Sequence, residues 1–454
     1  MKIPRSHMRR PRALALALTA ATVLVGTACS SGGSGTGTST STGQGASQST
    51  GPSTITVAVA YPAPPAAMLD QFTKQTGIKV NWVNIGWDDL QTKIAAAMTS
   101  NAYFADATDV DWSKVGEYYK TGWFLPLNKW FSVSSLRSDM PQLGTFIVNN
   151  ELIGVPFDSS FMVTTINTKD FQKAGISTAP TTLSNFSADL KKVATATGMS
   201  NPLDIQLATA EGLSTCWYQM TAAFGGQVLS AQYAPEFTSP SSPGYQAMNW
   251  MVNAYKTSLV PKGNINVTDY DGFTTEMAKN RVAGVLCDYS GSVASIYNVA
   301  SSSSVVNQTE YVQTPGASGP GPAVANPDGI GIPKNARNPQ AAAEFIQWFT
   351  NTQNQAIWAG LKGQTDVVPT FPLPARLSSF ALLSKAGDIG QASQLAAILS
   401  AHAQPPFPNG APPWYTQFSN AVQTNIHQAA IGAETVQQAV NNIASEVQQL
   451  KASG

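Results

Sequence analysis

TITVAVAYPAPPAAMLDQFTKQTGIKVNWVNIGWDDLQTKIAAAM, residues 54–98, sets the architecture. Residues 54–60 form a short run of high strand propensity that ends at Tyr61 and a proline-rich turn. A helix follows with Met68, Leu69 and Phe72 on one face, and Gly77 stops it. Ile78, Val80 and Trp82 then alternate as a half-buried strand. A second helix starts at Asp88 and places Leu90, Ile94, Ala97 and Met98 at helical spacing. Strand, helix, strand, helix at this rhythm specifies βαβ units, a largely parallel sheet and hence an α/β fold. A third strand is expected around Ala107–Val110, leading to a helix over about Ser113–Thr121.

Downstream the pattern continues in kind. Leu152–Phe157 and Met162–Asn167 read as strands joined by Asp158-Ser159-Ser160. Thr182 can cap a helix whose apolar stripe is Leu183, Phe186, Leu190 and Val193. Ala247, Met251, Ala254 and Tyr255 mark another helix, and Phe273 with Met277 a shorter one. Val282–Cys287 is a strongly apolar strand, whereas residues 301–327 read as loop, rich in Ser, Gly and Pro. Asn338-Pro339 pairs a cap with a first-turn proline ahead of Ala342–Phe349. Two helices end the chain, the last with Val436, Val440, Ile443, Val447 and Leu450 on one stripe. About 400 folded residues exceed what one core usually holds, so two lobes are expected.

Upstream lies a different kind of segment. Lys2, Arg5, Arg9, Arg10 and Arg12 precede the apolar run Ala13–Val25, which closes on Gly26-Thr27-Ala28 before Cys29. The run is too short to span a bilayer, which needs about 20 residues. Residues 1–28 therefore read as a secretory signal peptide. With Cys29 directly after the cleavage site, the segment resembles a bacterial lipoprotein signal, which implies diacylglycerol on that thiol. Gly26 stands where such signals usually carry an aliphatic residue, so cleavage without lipidation stays open. Residues 29–53, almost all Ser, Gly and Thr after the cysteine, form a flexible linker with a reach of about 25–30 Å. A spacer of this kind suits a domain that must stand off a membrane.

The leader holds five of the 26 basic side chains and none of the 26 acidic ones, which leaves 21 against 26, a net charge of −5. That balance disfavours nucleic acid as a partner. No catalytic constellation appears either. His402 and His427 are isolated, and HExxH, CxxC, GxSxG and phosphate-loop motifs are absent from the sequence. The Gly33–Gly37 stretch lies in the low-complexity linker. No catalytic residue, metal or cofactor is therefore expected. Cys216 and Cys287 are too few for a disulfide framework and read as small buried thiols.

Aromatic residues beside polar ones are the positive signal. Tyr61 follows the first strand, Trp87 precedes the second helix, and Trp112 follows Asp109 and Asp111 at the end of the third strand. Open α/β sheets bind ligands at the carboxyl ends of their strands. Flat rings and carboxylates there suit a sugar, whose C–H faces pack on rings and whose hydroxyls donate to Asp.

Several stretches in order then resemble one family. They are Phe72–Val80, Trp87–Ile94, Ala105–Trp112, Gly154–Phe157 with Ile166–Thr168, Ala174–Ile176 with Pro180–Thr182, Gly329–Pro333, and Ala341–Phe349. Together, across roughly residues 54–450, they are similar to the extracellular solute-binding proteins of ABC transporters, in the sugar-binding, maltose-binding-protein-like group. The resemblance implies a two-lobe periplasmic-binding-protein-like (class II) fold with a hinge and an interlobe cleft. It puts residues 54–157 and 283–328 in lobe one, and 158–282 and 329–454 in lobe two. It implies Tyr61, Trp87, Asp109, Asp111 and Trp112 as ligand residues of lobe one, with Phe157, Asp158 and Ser159 at the crossover. In lobe two it implies Glu211, Trp217, Gly363 and Asp366, with Asp288 and Tyr289 at the return crossing and Trp414 either in the cleft or anchoring the C-terminal helices. On these boundaries Cys216 and Cys287 fall in different lobes, where a bridge would restrict closure, so they are expected unpaired. The implied function is capture of a mono- or oligosaccharide for an ABC importer permease. The implied protein is a lipid-anchored monomer on the extracytoplasmic face of the cell membrane. The alternatives are the same fold binding a peptide or polyol, a secreted carbohydrate-active hydrolase, or a surface adhesion or sensory module.

Overall fold

The computed structural model describes residues 54–268, 274–361, 373–388, 391–401 and 403–453. The leader, Cys29, the linker, Phe273, Gly363, Asp366 and His402 lie outside the described residues.

The opening stretch folds as β1 (Thr54–Val59), α1 (Ala66–Thr76), β2 (Lys79–Asn84), α2 (Trp87–Thr99), β3 (Ala107–Asp111) and α3 (Val115–Thr121). Gly77 ends α1 in the left-handed region at φ 75°, and its N–H donates to Thr73 O at 2.8 Å. A side chain there would be strained, which is why the stop is legible as a glycine. β1 runs parallel to both β2 and β3. α1 turns Met68 and Phe72 onto this sheet, and Phe72 meets the rings of Phe345 and Trp348.

Two sheets organise the rest. In the first the order is β2, β1, β3, Asp328–Gly331, Val155–Pro156, with Asp328–Gly331 antiparallel to both of its neighbours. The second runs Thr309–Val312, Met162–Asn167, Gly284–Tyr289, Leu203–Asp204. Each sheet has its own hydrophobic core. One gathers residues 55–157 together with Ile330, Phe345, Phe349 and Trp358. The other gathers most of the chain between 161 and 323 together with 373–447.

This partition differs from the expected lobe boundaries. Met162–Asn167 is buried on both faces, and both of its edges are paired in antiparallel fashion, by Gly284–Tyr289 and by Thr309–Val312. Those two strands, expected in lobe one, therefore belong to the second sheet. Conversely Asp328–Gly331, which pairs with β3, and helix Pro339–Phe349 join the first core rather than the second. Ladder partners far apart in sequence decide this, and nothing local announces them. The chain crosses between the sheets over residues 157–161 and again over 325–328, where Phe161 bridges Ala325.

The same partition corrects the cysteine expectation. Cys216, on helix Glu211–Ala223, and Cys287, on strand Gly284–Tyr289, are joined by a disulfide with Sγ–Sγ 2.10 Å. Both belong to the second core and are fully buried, so the bridge lies within one lobe and does not oppose hinge motion. Among the described residues, no helix is long and apolar enough to cross a membrane.

Candidate ligand-binding cleft

β3 carries its aspartates at alternate positions, so Asp109 and Asp111 project from the same face of the strand. Antiparallel register sets Asp328 directly opposite Asp111. Asp158, on the first crossing, completes the group. It accepts the Asp328 N–H at 2.6 Å through Oδ1.

Tyr61, at the end of β1, ties the two crossings together. Its hydroxyl oxygen lies 2.5 Å from Asp328 Oδ2 and 3.1 Å from Asp158 Oδ2. α2 supplies the remaining donors. Trp87 Nε1–H donates to Asp111 Oδ2 at 3.3 Å, and Gln91 Nε2–H to Asp109 Oδ2 at 2.8 Å. Gln91 Oε1 in turn accepts from the Tyr118 hydroxyl of α3 at 2.7 Å. The Ser113 N–H and hydroxyl both donate to Asp111 Oδ1. Tyr61 and Trp87 remain half-buried, while the four aspartates are buried.

Withdrawal from water sets the electrostatics. Burial, then the neighbouring carboxylates, push Asp109 and Asp328 well above the usual carboxylate range. Burial raises Asp111, against the donors of Ser113 and the nearby Lys114. Asp158 is pushed up to about 7, chiefly by burial. Asp158 is thus partly protonated near neutrality and can both donate to and accept from a hydroxyl.

On the second core, Glu211 opens helix Glu211–Ala223, where its charge meets the positive end of the helix. It accepts from the Tyr415 hydroxyl, from Ser419 Oγ at 2.7 Å and from Gln423 Nε2 at 3.3 Å. Trp112 reaches over from the end of β3 to join it. Its ring stacks on Phe407 at 6.3 Å and meets Tyr415 edge-on at 5.1 Å, leaving it 4% exposed. The structure therefore packs Trp112 on protein rings, where the sequence pattern had set it to stack on a ligand.

The other residues expected at the site make contacts within the protein. Trp217 is fully buried and donates Nε1–H to Gly244 O at 2.8 Å, packed on Phe237. Asp288 accepts from Thr165, Ser292 and Tyr297 hydroxyls and from the Tyr289 N–H, so its oxygens are occupied within the second core. Phe157 is buried in the first core, edge-on to Tyr61 at 5.3 Å and against Trp358 at 5.8 Å. Tyr289 is nearly buried and pairs in register with Met162. Ser159 is buried beside Asp158, and its N–H donates to Leu373 O at 3.0 Å. Trp414 packs on Tyr233 and Phe418 at the foot of the C-terminal helices.

Asp328, Gln91, Tyr415 and Phe407 escaped the sequence reading. Asp328 alone had a usable signal, an acid immediately before the Gly329-Ile330-Gly331 stretch at a crossing. Among the described residues, no group of three or more His, Cys, Asp or Glu side chains is arranged to hold a metal ion.

The model of the bacterial extracellular solute-binding protein family matches residues 67–379, well over half of the chain. No curated protein sequence matches the chain. Among solved structures, maltose-bound MalE3 of T. maritima superposes with a TM-score of 0.72 at 20% identity, covering 87% of this chain and 99% of that one. An ABC transporter solute-binding protein of Thermotoga lettingae with bound α-D-tagatose gives 0.73 at 21% identity, with 87% and 99% covered. The corresponding protein of Agrobacterium radiobacter in complex with ribitol gives 0.73 at 18% identity, with 87% and 98% covered. At these identities the likeness is one of fold.

Proposed function

Because the chain belongs to the bacterial extracellular solute-binding proteins, we propose that it captures a sugar or polyol between its two lobes and delivers it to an ABC importer permease. The observation that carries this reading is the polar group at the ends of β1 and β3. Tyr61, Trp87, Asp111, Asp158 and Asp328 converge there, at the strand ends where open α/β sheets bind ligands. Carboxyl groups in mixed protonation suit hydroxyls, which both donate and accept, and the half-buried Trp87 offers a ring face. Glu211 and Ser159 are proposed as further contributors, together with Gly363 and Asp366, which lie outside the described residues. A solute touching both lobes stabilises only the closed form, so capture and closure are one equilibrium. Solutes of the structural neighbours, maltose, tagatose and ribitol, fit this class.

A thermal-shift panel of sugars and polyols tests the reading. The cognate solute at one hundred times its Kd is expected to add about 2.7 kcal/mol of stability, to be recovered unchanged afterwards, and to lose that effect in Trp87→Ala. A panel without any response would overturn it.

Tethering through Cys29 belongs to the same proposal. The basic leader, the short apolar run and the small residues before Cys29 support export, and the flexible linker supports a domain held at a membrane. A fully buried disulfide fits an oxidising compartment. Mass spectrometry of the mature protein is expected to show a diacylated N-terminal Cys29; an unmodified cysteine would remove the anchor and leave the binding function standing.

A further inference from the structure

After β3 the chain sets three alternate residues, Trp112, Lys114 and Gly116, against one stretch of the opposite lobe, residues 407–416. Trp112 lies between Phe407 and Tyr415. Lys114 Nζ donates to Thr416 Oγ1. Gly116, in the first turn of α3, comes so close that a Cβ would stand 2.3 Å from the backbone oxygen of Ala411. Pro412 would lie at 3.4 Å. The partners belong to different cores, since Val115 and Tyr118 of α3 pack in the first and Phe407, Ala411 and Tyr415 in the second.

Gly116 has no conformational reason to be glycine. Its φ is not positive, and inside a helix glycine is less favourable than alanine. What its missing side chain permits is the approach of α3 to a facing backbone, an atom that cannot swing aside as a flexible side chain would. We propose that this seam is a clasp holding the two lobes together without solute, with Gly116 as its point of closest approach. The proposal goes beyond the ligand reading, because every contact in the seam is between protein groups. It makes closure an equilibrium already biased before the solute arrives, so the solute adds to a bias instead of creating one.

Small-angle scattering on the solute-free mature protein, paired with thermal melting, tests this. Gly116→Ala is expected to raise the radius of gyration and the maximum dimension with unchanged helix content, because the added methyl cannot coexist with the Ala411 carbonyl. Thr416→Val, which removes the acceptor for Lys114 without adding bulk, is expected to shift both in the same direction by less. If Gly116→Ala keeps the wild-type dimensions, the clasp is overturned, and an accompanying rise in melting temperature would show Gly116 to be an ordinary helix position. If that variant fails to fold by circular dichroism, Thr416→Val decides: wild-type dimensions there overturn the proposal.

Discussion

Replacing Cys216 and Cys287 together by alanine is expected to lower the free energy of unfolding by about 4 kcal/mol, measured by denaturant titration without reductant. The bridge closes a loop with a sequence separation of 71, and a loop of that length strongly restricts the unfolded chain. Its native surroundings add to the loss. Helix Glu211–Ala223 is buried along nearly its whole length, packed against helices Pro243–Lys256 and Tyr415–Ile431. Two truncated side chains would leave unfilled space where that helix meets strand Gly284–Tyr289. Because both cysteines lie in the second core, solute affinity is expected to survive at temperatures where the variant remains folded. A variant as stable as the wild type would show that the bond does not constrain the chain. Lost affinity in a folded variant would show instead that the bridge sets the position of Glu211.

The cysteines also mark where sequence reading ran out. β1 to α3 was legible because each element carries its own signal: alternation in Ile78, Val80 and Trp82, a helical stripe in Met68 and Phe72, and a glycine stop at Gly77. Thr182 as a cap was legible for the same reason, and it does accept the Asn185 N–H at 3.1 Å. Thr309–Val312 was not. Set in a Ser- and Gly-rich stretch, it becomes a strand by pairing with Met162–Asn167, nearly 150 residues earlier. Gly284–Tyr289, and Cys287 with it, joins the same sheet by pairing with the other edge of Met162–Asn167. At the cleft, Tyr61, Trp87, Asp111 and Asp158 could be picked out as polar and aromatic residues at strand ends and crossings. Telling Asp328 from Asp288 could not be done this way. Both are aspartates on strands; register sets Asp328 against Asp111, and tertiary packing surrounds Asp288 with Thr165, Ser292 and Tyr297. Trp217, six residues past Glu211, is about 9 Å further along the same helix, fully buried against Phe237.

Register also gives the carboxylates their largest measurable consequence: stability is expected to fall by several kcal/mol as pH rises from 5 to 8. Asp109 and Asp111 on β3, Asp158 on the crossing and Asp328 opposite Asp111 face one another, with Tyr61, Trp87, Gln91, Ser113 and Tyr118 around them and Lys114 as the nearby cation. Burial raises all four above the value of about 4 they have in an unfolded chain, Asp158 to about 7 and Asp109 and Asp328 well upward. Between the unfolded and folded values the native state holds protons that the unfolded state has released. Stability from this source is therefore complete below pH 4 and is lost as pH climbs through the folded values. Each unit of displacement corresponds to about 1.4 kcal/mol, so the rise of Asp158 to about 7 by itself carries several kcal/mol. Asp139, lowered despite its partial burial by the Arg376 guanidinium and Ser378, acts in the opposite sense, but only in more acidic solution. Asp288, at about 6 through burial, and Asp204, raised well upward by burial, lie in the second core and contribute with the same sign. Urea unfolding at several pH values, in the wild type and in Asp328→Asn, separates the two sources. The asparagine keeps the shape and does not titrate. Its slope against pH is expected to be shallower than that of the wild type, and at pH 8 it is expected to be the more stable protein. An unchanged slope would move the effect to Asp288 and Asp204 in the second core. A flat wild-type profile would mean that the cluster is hydrated and ionised.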